Sequence, residues 1–377
     1  MVRPLPFMVE AQRLVLSQRL SDATDLIQQG LGLRSPSLTS PPDAFSGVTI
    51  ELSADGAELA GDVASGEARC MPRSRPRFAA EASIRPTWST KPAPTIPQGA
   101  EFLYLVHAGP AGRRAYRLYV PAAEARGPRP LVVMLHGCTQ NPEDFATGTR
   151  MNEIAEEANV LVAYPEQDRS ANPHLCWNWF EPTHQNGDAG EPAILAGIVE
   201  DIARSHAVDR SRLFAAGLSA GGAMAAILGS TRPDLFAAVG IHSGLPHASA
   251  RDVATALAVM RSGKALGQGV VPSVPAIVFH GVRDTTVHPA NGDRIAGLDT
   301  ERQDRAETVT GTVNGRAFTR IRRPAQGSNP AMEHWRVEGL GHAWSGGDAA
   351  GSYADPAGPD ASREMLRFFL NEAGARE

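Results

Sequence analysis

The segment Gly217-Leu218-Ser219-Ala220-Gly221 carries the clearest chemistry in the chain. Its G-x-S-x-G spacing suits a serine nucleophile on a sharp strand-to-helix turn, with glycine two residues to each side because larger side chains would collide there. Arg212 to Ala216 reads as a short buried strand before the turn, and Gly222 to Leu228 as a helix packed closely on a sheet after it. A serine hydroxyl becomes a useful nucleophile only when a base takes its proton and a carboxylate holds that base. Asp284 fits the carboxylate role, because it follows the apolar run Val274 to Gly281 and so lies just past the C-terminal end of a buried strand. Asp293 is its nearest competitor but has no strand directly before it. Of the 11 histidines, His342 is the expected base, in the glycine-rich loop Gly339-Leu340-Gly341-His342 that follows an apolar-alternating run from Met332 to Val337. His288 is too close in sequence to Asp284 to share the work, and His334 lies inside a strand pattern as a surface or pairing residue.

Acyl transfer also needs two N–H groups aimed at a developing oxyanion. Ala220, directly after the serine, is one expected donor. Cys138 is the other, in the loop His136-Gly137-Cys138-Thr139-Gln140 after the strand Pro130 to Leu135, with His136 shaping that loop. The stretch 168–190 has little periodicity and holds Trp177, Asn178, Trp179 and Phe180, so it is expected to cross the catalytic face. His136, Trp177, Trp179 and Trp344 are the candidate substrate contacts; the alternative for the first two tryptophans is that one is core and the other pins the loop. Cys138 and Cys176 both fall on these loops and could pair in an oxidising compartment, whereas free thiols are the default in a cytoplasm. Cys70 is expected to be free.

Four segments, Leu135 to Gln140, Cys176 to Phe180, Gly217 to Gly222 and Gly341 to Gly347, together resemble the polyhydroxybutyrate-depolymerase family of esterases, which also includes feruloyl and acetylxylan esterases. The resemblance covers about residues 98 to 372. It implies an α/β-hydrolase fold with a mostly parallel central sheet flanked by helices, and carboxyl-ester hydrolysis without metal or cofactor. It maps the triad onto Ser219, Asp284 and His342. Secreted members carry a signal peptide, a linker and a polymer-binding domain, none evident here. The expected substrates are therefore poly- or oligo-(3-hydroxybutyrate), including native granules, and short-chain acyl esters. The alternatives are a feruloyl or acetylxylan-type carbohydrate esterase, a non-catalytic granule-binding protein and, more distantly, an acyltransferase.

The elements that must position these residues follow from pattern. Strands near 101–107, 114–120, 130–135, 160–164 and 236–241 alternate with helices near 147–158 and 191–205, and a helix from Ser362 to Asn371 closes the chain, which is the order of an α/β domain. That domain is placed at 98–377. Residues 1–31 read as a small helical hairpin, capped by Asp22 and ended by Gly30, that packs on the main domain or on a sister subunit, or docks a granule. Residues 32–97, punctuated by Pro41-Pro42 and the arginine-rich stretch 73–77, read as a largely irregular linker. The 36 basic and 41 acidic residues give a net charge of −5, which argues against a nucleic-acid partner. No apolar run is long enough for a membrane span. The N-terminal apolar run, interrupted by Glu10 and Arg13, is too short for a signal-peptide core, so the expected location is the cytoplasm, with secretion or the periplasm as alternatives.

Overall fold

The computed structural model describes residues 93–264, 269–298 and 306–374, and these belong to one compact unit. The expected hairpin at 1–31 and nearly all of the expected linker lie outside the described residues.

Apolar runs buried on both faces dictate a parallel sheet. β3 (Arg129–Leu135), β4 (Leu161–Pro165), β6 (Ala238–His242) and β7 (Ala276–Gly281) are such runs, and so is the C-terminal half of β5 (Val208–Leu218). With β10 (Met332–Val337) they form six neighbouring parallel strands in the order β4-β3-β5-β6-β7-β10. Antiparallel strands extend both edges: β1 (Glu101–Gly109) and β2 (Gly112–Val120) beside β4, and β9 (Arg316–Arg323) and β8 (Glu307–Val313) beside β10. Among the described residues the sheet therefore has ten strands.

Helices cover both faces. α3 (Gly190–Ser205) and α4 (Ala220–Thr231) close one face over Leu131, Val133, Ala215 and Val278. α5 (Val253–Ser262) and α6 (Ala290–Ile295) extend the same layer. The other face holds α1 (Pro142–Thr149), α2 (Met151–Ala158) and the C-terminal α7 (Ala361–Gly374). Phe369 of α7 stacks on Phe214 of β5 at 4.8 Å between centroids. Burying a side chain such as Met224, Ile227 or Leu228 of α4 contributes roughly 1.5–3 kcal/mol. The nucleophile strand is thus held in the middle of the sheet, locked on both faces.

The helix expected near 147–158 is two helices. Arg150 takes the left-handed conformation (φ 55°), and its N–H caps α1 by donating to the Ala146 and Thr147 carbonyls. The β8–β9 hairpin was not expected from the sequence. Its turn, Asn314-Gly315, has φ of 46° and 76°, the left-handed pair that a two-residue hairpin turn needs. A two-residue parallel ladder, β11 (Trp344–Ser345) with β12 (Ala354–Asp355), fixes the start of the loop between β10 and α7. Among the described residues no helix is long and apolar enough to cross a membrane.

Candidate active site

Ser219 sits between β5 and α4 with φ 57° and ψ −118°, a strained conformation for a residue with a Cβ. The strain is enforced by close backbone packing. A methyl at Gly221 would run into the carbonyl of Leu135, and one at Gly217 would meet the Gly221 carbonyl group and come to 2.7 Å from the Leu135 oxygen. The Ser219 N–H donates to the carbonyl of His242 at the end of β6 (2.9 Å). Ser219 stays 9 % exposed at the C-terminal edge of the sheet, where open α/β sheets present their sites.

Asp284 follows β7 at the same edge. Its Oδ1 accepts from the N–H groups of Thr286 (2.9 Å) and Val287 (2.8 Å), and its Oδ2 accepts from Nδ1 of His342 at 2.8 Å. Burial alone would raise its pKa, but the hydrogen bond and charge of His342, the Val287 N–H and His280 outweigh it and hold the carboxyl below the ordinary range. The Val282 and Arg283 N–H groups donate to the Val337 and Leu340 carbonyls, each at 3.0 Å, and tie the aspartate loop to the histidine loop. Asp293, the competing carboxylate, is engaged elsewhere: it pairs with His334 (3.0 Å) and Arg336 (2.7 Å). His334 is accordingly buried and hydrogen-bonded to Asp293, a pairing residue rather than a surface one.

The oxyanion-loop residues have nearly all their N–H groups committed. Gly137 donates to the Gln140 side chain (2.9 Å), Thr139 to the His174 carbonyl (2.8 Å) and Gln140 to the Gly137 carbonyl (3.3 Å). Between Gly137 and Gln140, only the Cys138 N–H has no acceptor among the described residues. Ala220 is the first residue of α4, where helix geometry leaves its N–H without an intrahelical partner. The two cysteines left open by the sequence are joined: Cys138 and Cys176 form a disulfide that ties the oxyanion loop to the loop before α3. That second loop is anchored from below by Glu191, a buried carboxylate accepting from Asn178 N (2.7 Å), Asn178 Nδ2 (3.0 Å) and the Gln167 amide, with Arg114 at 3.8 Å.

The four expected substrate contacts need correction. Trp177 and Trp344 are fully buried, Trp179 is buried against Phe180, and His136 lies beneath the oxyanion loop. Their rings serve packing, and the polar atoms of Trp177, Trp344 and His136 are hydrogen-bonded inside. Trp177 Nε1 donates to the His136 carbonyl (3.1 Å), and Trp344 Nε1 donates to Ser362 Oγ (3.1 Å). His136 donates through Nδ1 to the Gly137 carbonyl (2.8 Å) and accepts the Gln167 N–H at Nε2 (3.1 Å), so it is neutral; burial pushes its pKa down to about 4.

Two histidines at strand ends were not singled out from the sequence. His242, the last residue of β6, is sandwiched between Trp344 (5.0 Å) and Phe279 (5.8 Å), and its Nε2 accepts the Ser345 N–H at 3.1 Å. Its backbone thus holds the serine and its ring holds the His342 loop. His280 in β7 donates through Nε2 to the Val287 carbonyl (2.9 Å), with Asp284 Oδ2 at 3.5 Å. Burial pushes His242 down to about 3 and His280 to about 4. The available signal was their position at the ends of strands expected to carry site loops.

A serine on a strained elbow, a histidine bonded to a buried carboxylate, and two N–H groups beside them can carry acyl transfer. Comparison with known proteins agrees with this chemistry. The family model described as "Esterase PHB depolymerase" matches residues 114–312. The chain is 31 % identical over 231 residues to "Poly(3-hydroxyalkanoate) depolymerase C" of Paucimonas lemoignei, covering 56 % of this chain and 54 % of that protein. It is 28 % identical over 207 residues to "Probable acetylxylan esterase A" of Aspergillus fumigatus, covering 49 % and 53 %. The chain thus spans about half the length of these relatives. Among solved structures it is similar in fold to "Acetyl xylan esterase from Aspergillus awamori", with a TM-score of 0.52 at 21 % identity, over 64 % of this chain and 94 % of that one. The fold is that of the α/β-hydrolases.

Proposed function

The chain belongs to the PHB depolymerase family of esterases, and from that premise we propose that it is a serine carboxylic-ester hydrolase acting through Ser219, His342 and Asp284. One observation carries the reading: the strained Ser219 elbow and the Asp284–His342 pair stand at one sheet edge, joined through His242. His342 takes the Ser219 proton as the hydroxyl attacks the ester carbonyl. The Cys138 and Ala220 N–H groups receive the oxyanion; the uncommitted Cys138 N–H supports that assignment. His342 then gives its proton to the leaving alcohol, and water repeats the sequence on the acyl-enzyme. Asp284 fixes the imidazole tautomer and stabilises its charged form.

The substrates are hydroxyalkanoate oligomers and short-chain acyl esters, a reading supported by the similarity to a hydroxyalkanoate depolymerase. Similarity to acetylxylan esterases favours acetylated carbohydrate as the second reading. Hydroxybutyrate trimer against acetylated xylan separates the two. The Cys138–Cys176 disulfide moves the expected setting from the cytoplasm towards an oxidising compartment. The test of the reaction is turnover of p-nitrophenyl esters from acetate to octanoate by wild type and Ser219→Ala. The variant is expected to lose about 10⁶ in kcat; near-wild-type turnover would sink the assignment.

A further inference from the structure

With the expected tryptophans buried, an aromatic residue of the loop between β10 and α7 meets the requirements of a substrate contact. Tyr353 is 47 % exposed, yet its backbone is left-handed (φ 51°), an outlier for a bulky residue. Its backbone is held there from both sides. Ser352 donates its N–H to Asp144 (2.9 Å) and its carbonyl accepts from the Gln140 side chain (2.9 Å). The Tyr353 carbonyl accepts the Trp344 N–H at 2.7 Å. Gln140 is the same side chain that receives the Gly137 N–H, so one amide clamps the oxyanion loop and the Tyr353 loop together.

The ring that this clamp presents lies edge-on to His342, with 6.3 Å between centroids and an interplanar angle of 76°. Its hydroxyl is 3.5 Å from Oγ1 of Thr139, a second left-handed non-glycine residue (φ 66°) next to Cys138. The ring therefore reaches from the histidine to the oxyanion loop, on a residue that is nearly half exposed. Core packing does not explain a strained backbone beneath an exposed aromatic side chain, and strain of this kind gathers at ligand-contacting positions.

We propose that Tyr353 is a specificity-determining residue that walls the alcohol side of the ester site. The assignment rests on the serine-esterase reading above. His342 delivers its proton to the leaving oxygen, so the leaving alcohol must sit beside the imidazole, and Tyr353 lines that same side. Its ring offers an apolar face and its phenol a donor. That pair suits an alcohol portion several carbons long that carries an acceptor, as the next hydroxyacyl unit of a hydroxyalkanoate does.

The test compares two butyrate esters that share their acyl group: methyl 3-(butyryloxy)butanoate, with a hydroxyacyl alcohol, and methyl butyrate. Wild type, Tyr353→Phe and Tyr353→Asn are assayed on both, and Tm is measured for each. Asparagine tolerates the left-handed backbone. Tyr353→Asn is expected to cut the kcat/KM ratio between the longer and the shorter ester by about tenfold, chiefly through KM. Its Tm should stay level or rise. Tyr353→Phe, which keeps the apolar face, should keep most of the ratio. An unchanged ratio in Tyr353→Asn, or an equal loss on both esters accompanied by a lowered Tm, would overturn the proposal and leave the serine-esterase reading standing. Wild type that hydrolyses neither ester, or Ser219→Ala that still hydrolyses both, would instead bring down that reading and this proposal with it.

Discussion

Acidification from pH 7 to pH 5 should strip the fold of about 5 kcal/mol, because three histidines are buried in a neutral state that the structure cannot relax. His136 and His280 are 1 % exposed and His242 0 %. Burial pushes them down from the ordinary 6.5 to about 4, 4 and 3. Each has a local reason to stay neutral. His136 and His242 use Nε2 to accept backbone N–H groups, which a second ring proton would repel. The Nδ1 of His280 is buried without a hydrogen-bond partner among the described residues, so a proton there would be an unsolvated charge. Since the folded pKa values lie below the unfolded ones, the unfolded chain binds more protons between 6.5 and about 4. Stability is full above that range and falls as pH drops through it. At pH 5 the linkage is about 1.9 kcal/mol per histidine, hence about 5–6 kcal/mol for three. His206 and His247, also lowered by burial, add to the loss; Glu166 and Asp360, raised by burial, return part of it. The lowered carboxyls of Asp284 and Asp293 titrate below this window. Against a typical total of about 5–15 kcal/mol, the loss is large. Equilibrium urea unfolding of the full chain at pH 7, 6 and 5, at fixed ionic strength, reads it directly. His280→Gln, which keeps a donor for the Val287 carbonyl, should flatten the slope by about a third. A stability that is level between pH 7 and 5, with loss setting in only where carboxylates titrate, would refute the reasoning.

Three further outcomes are expected. Replacing both Cys138 and Cys176 by alanine reopens a loop with a separation of 38 residues; the loss should be about 4 kcal/mol, on the order of 10 °C in Tm by calorimetry. Asp284→Asn removes the charge that holds the His342 tautomer and should lower kcat about 10⁴-fold with the far-UV spectrum unchanged; a loss under tenfold would remove Asp284 from the role. Gly221→Ala drives a methyl into the Leu135 carbonyl. The elbow must shift, so kcat should fall at least about 100-fold with a lowered Tm, and wild-type kinetics in that variant would contradict the close packing of Gly221 on Leu135.

Much of the fold was legible because its signals are local. A continuous apolar run marks a strand buried on both faces and an apolar alternation marks a strand as well; β7 lies where the first pattern places it and β10 where the second does. The β8–β9 hairpin is hard to read because β8 is an exposed edge strand and β9, beside it, is half-buried and mostly polar or basic with no regular apolar alternation, although Asn314-Gly315 was an available turn signal. The break between α1 and α2 rests on one left-handed arginine, a conformation that its side chain does not announce.

The site divides in the same way. Ser219, Asp284 and His342 could be chosen from sequence because the chemistry fixes their types, their chain order and their place after strands. The steric reason for Gly217 and Gly221 is likewise local to the turn. Exposure and pairing are different, because they depend on residues far apart in the chain. Trp177 and Trp344 read like substrate contacts until packing buries them beneath the site loops, while Tyr353 draws attention only through backbone strain and a clamp that runs from Gln140 to Ser352. Whether Cys138 meets Cys176, and which histidines must stay neutral, is decided by the crossing of loops from different strands. Sequence determined the candidate reacting groups; tertiary structure alone decided what surrounds them, because burial and long-range contact are properties of the whole packed sheet.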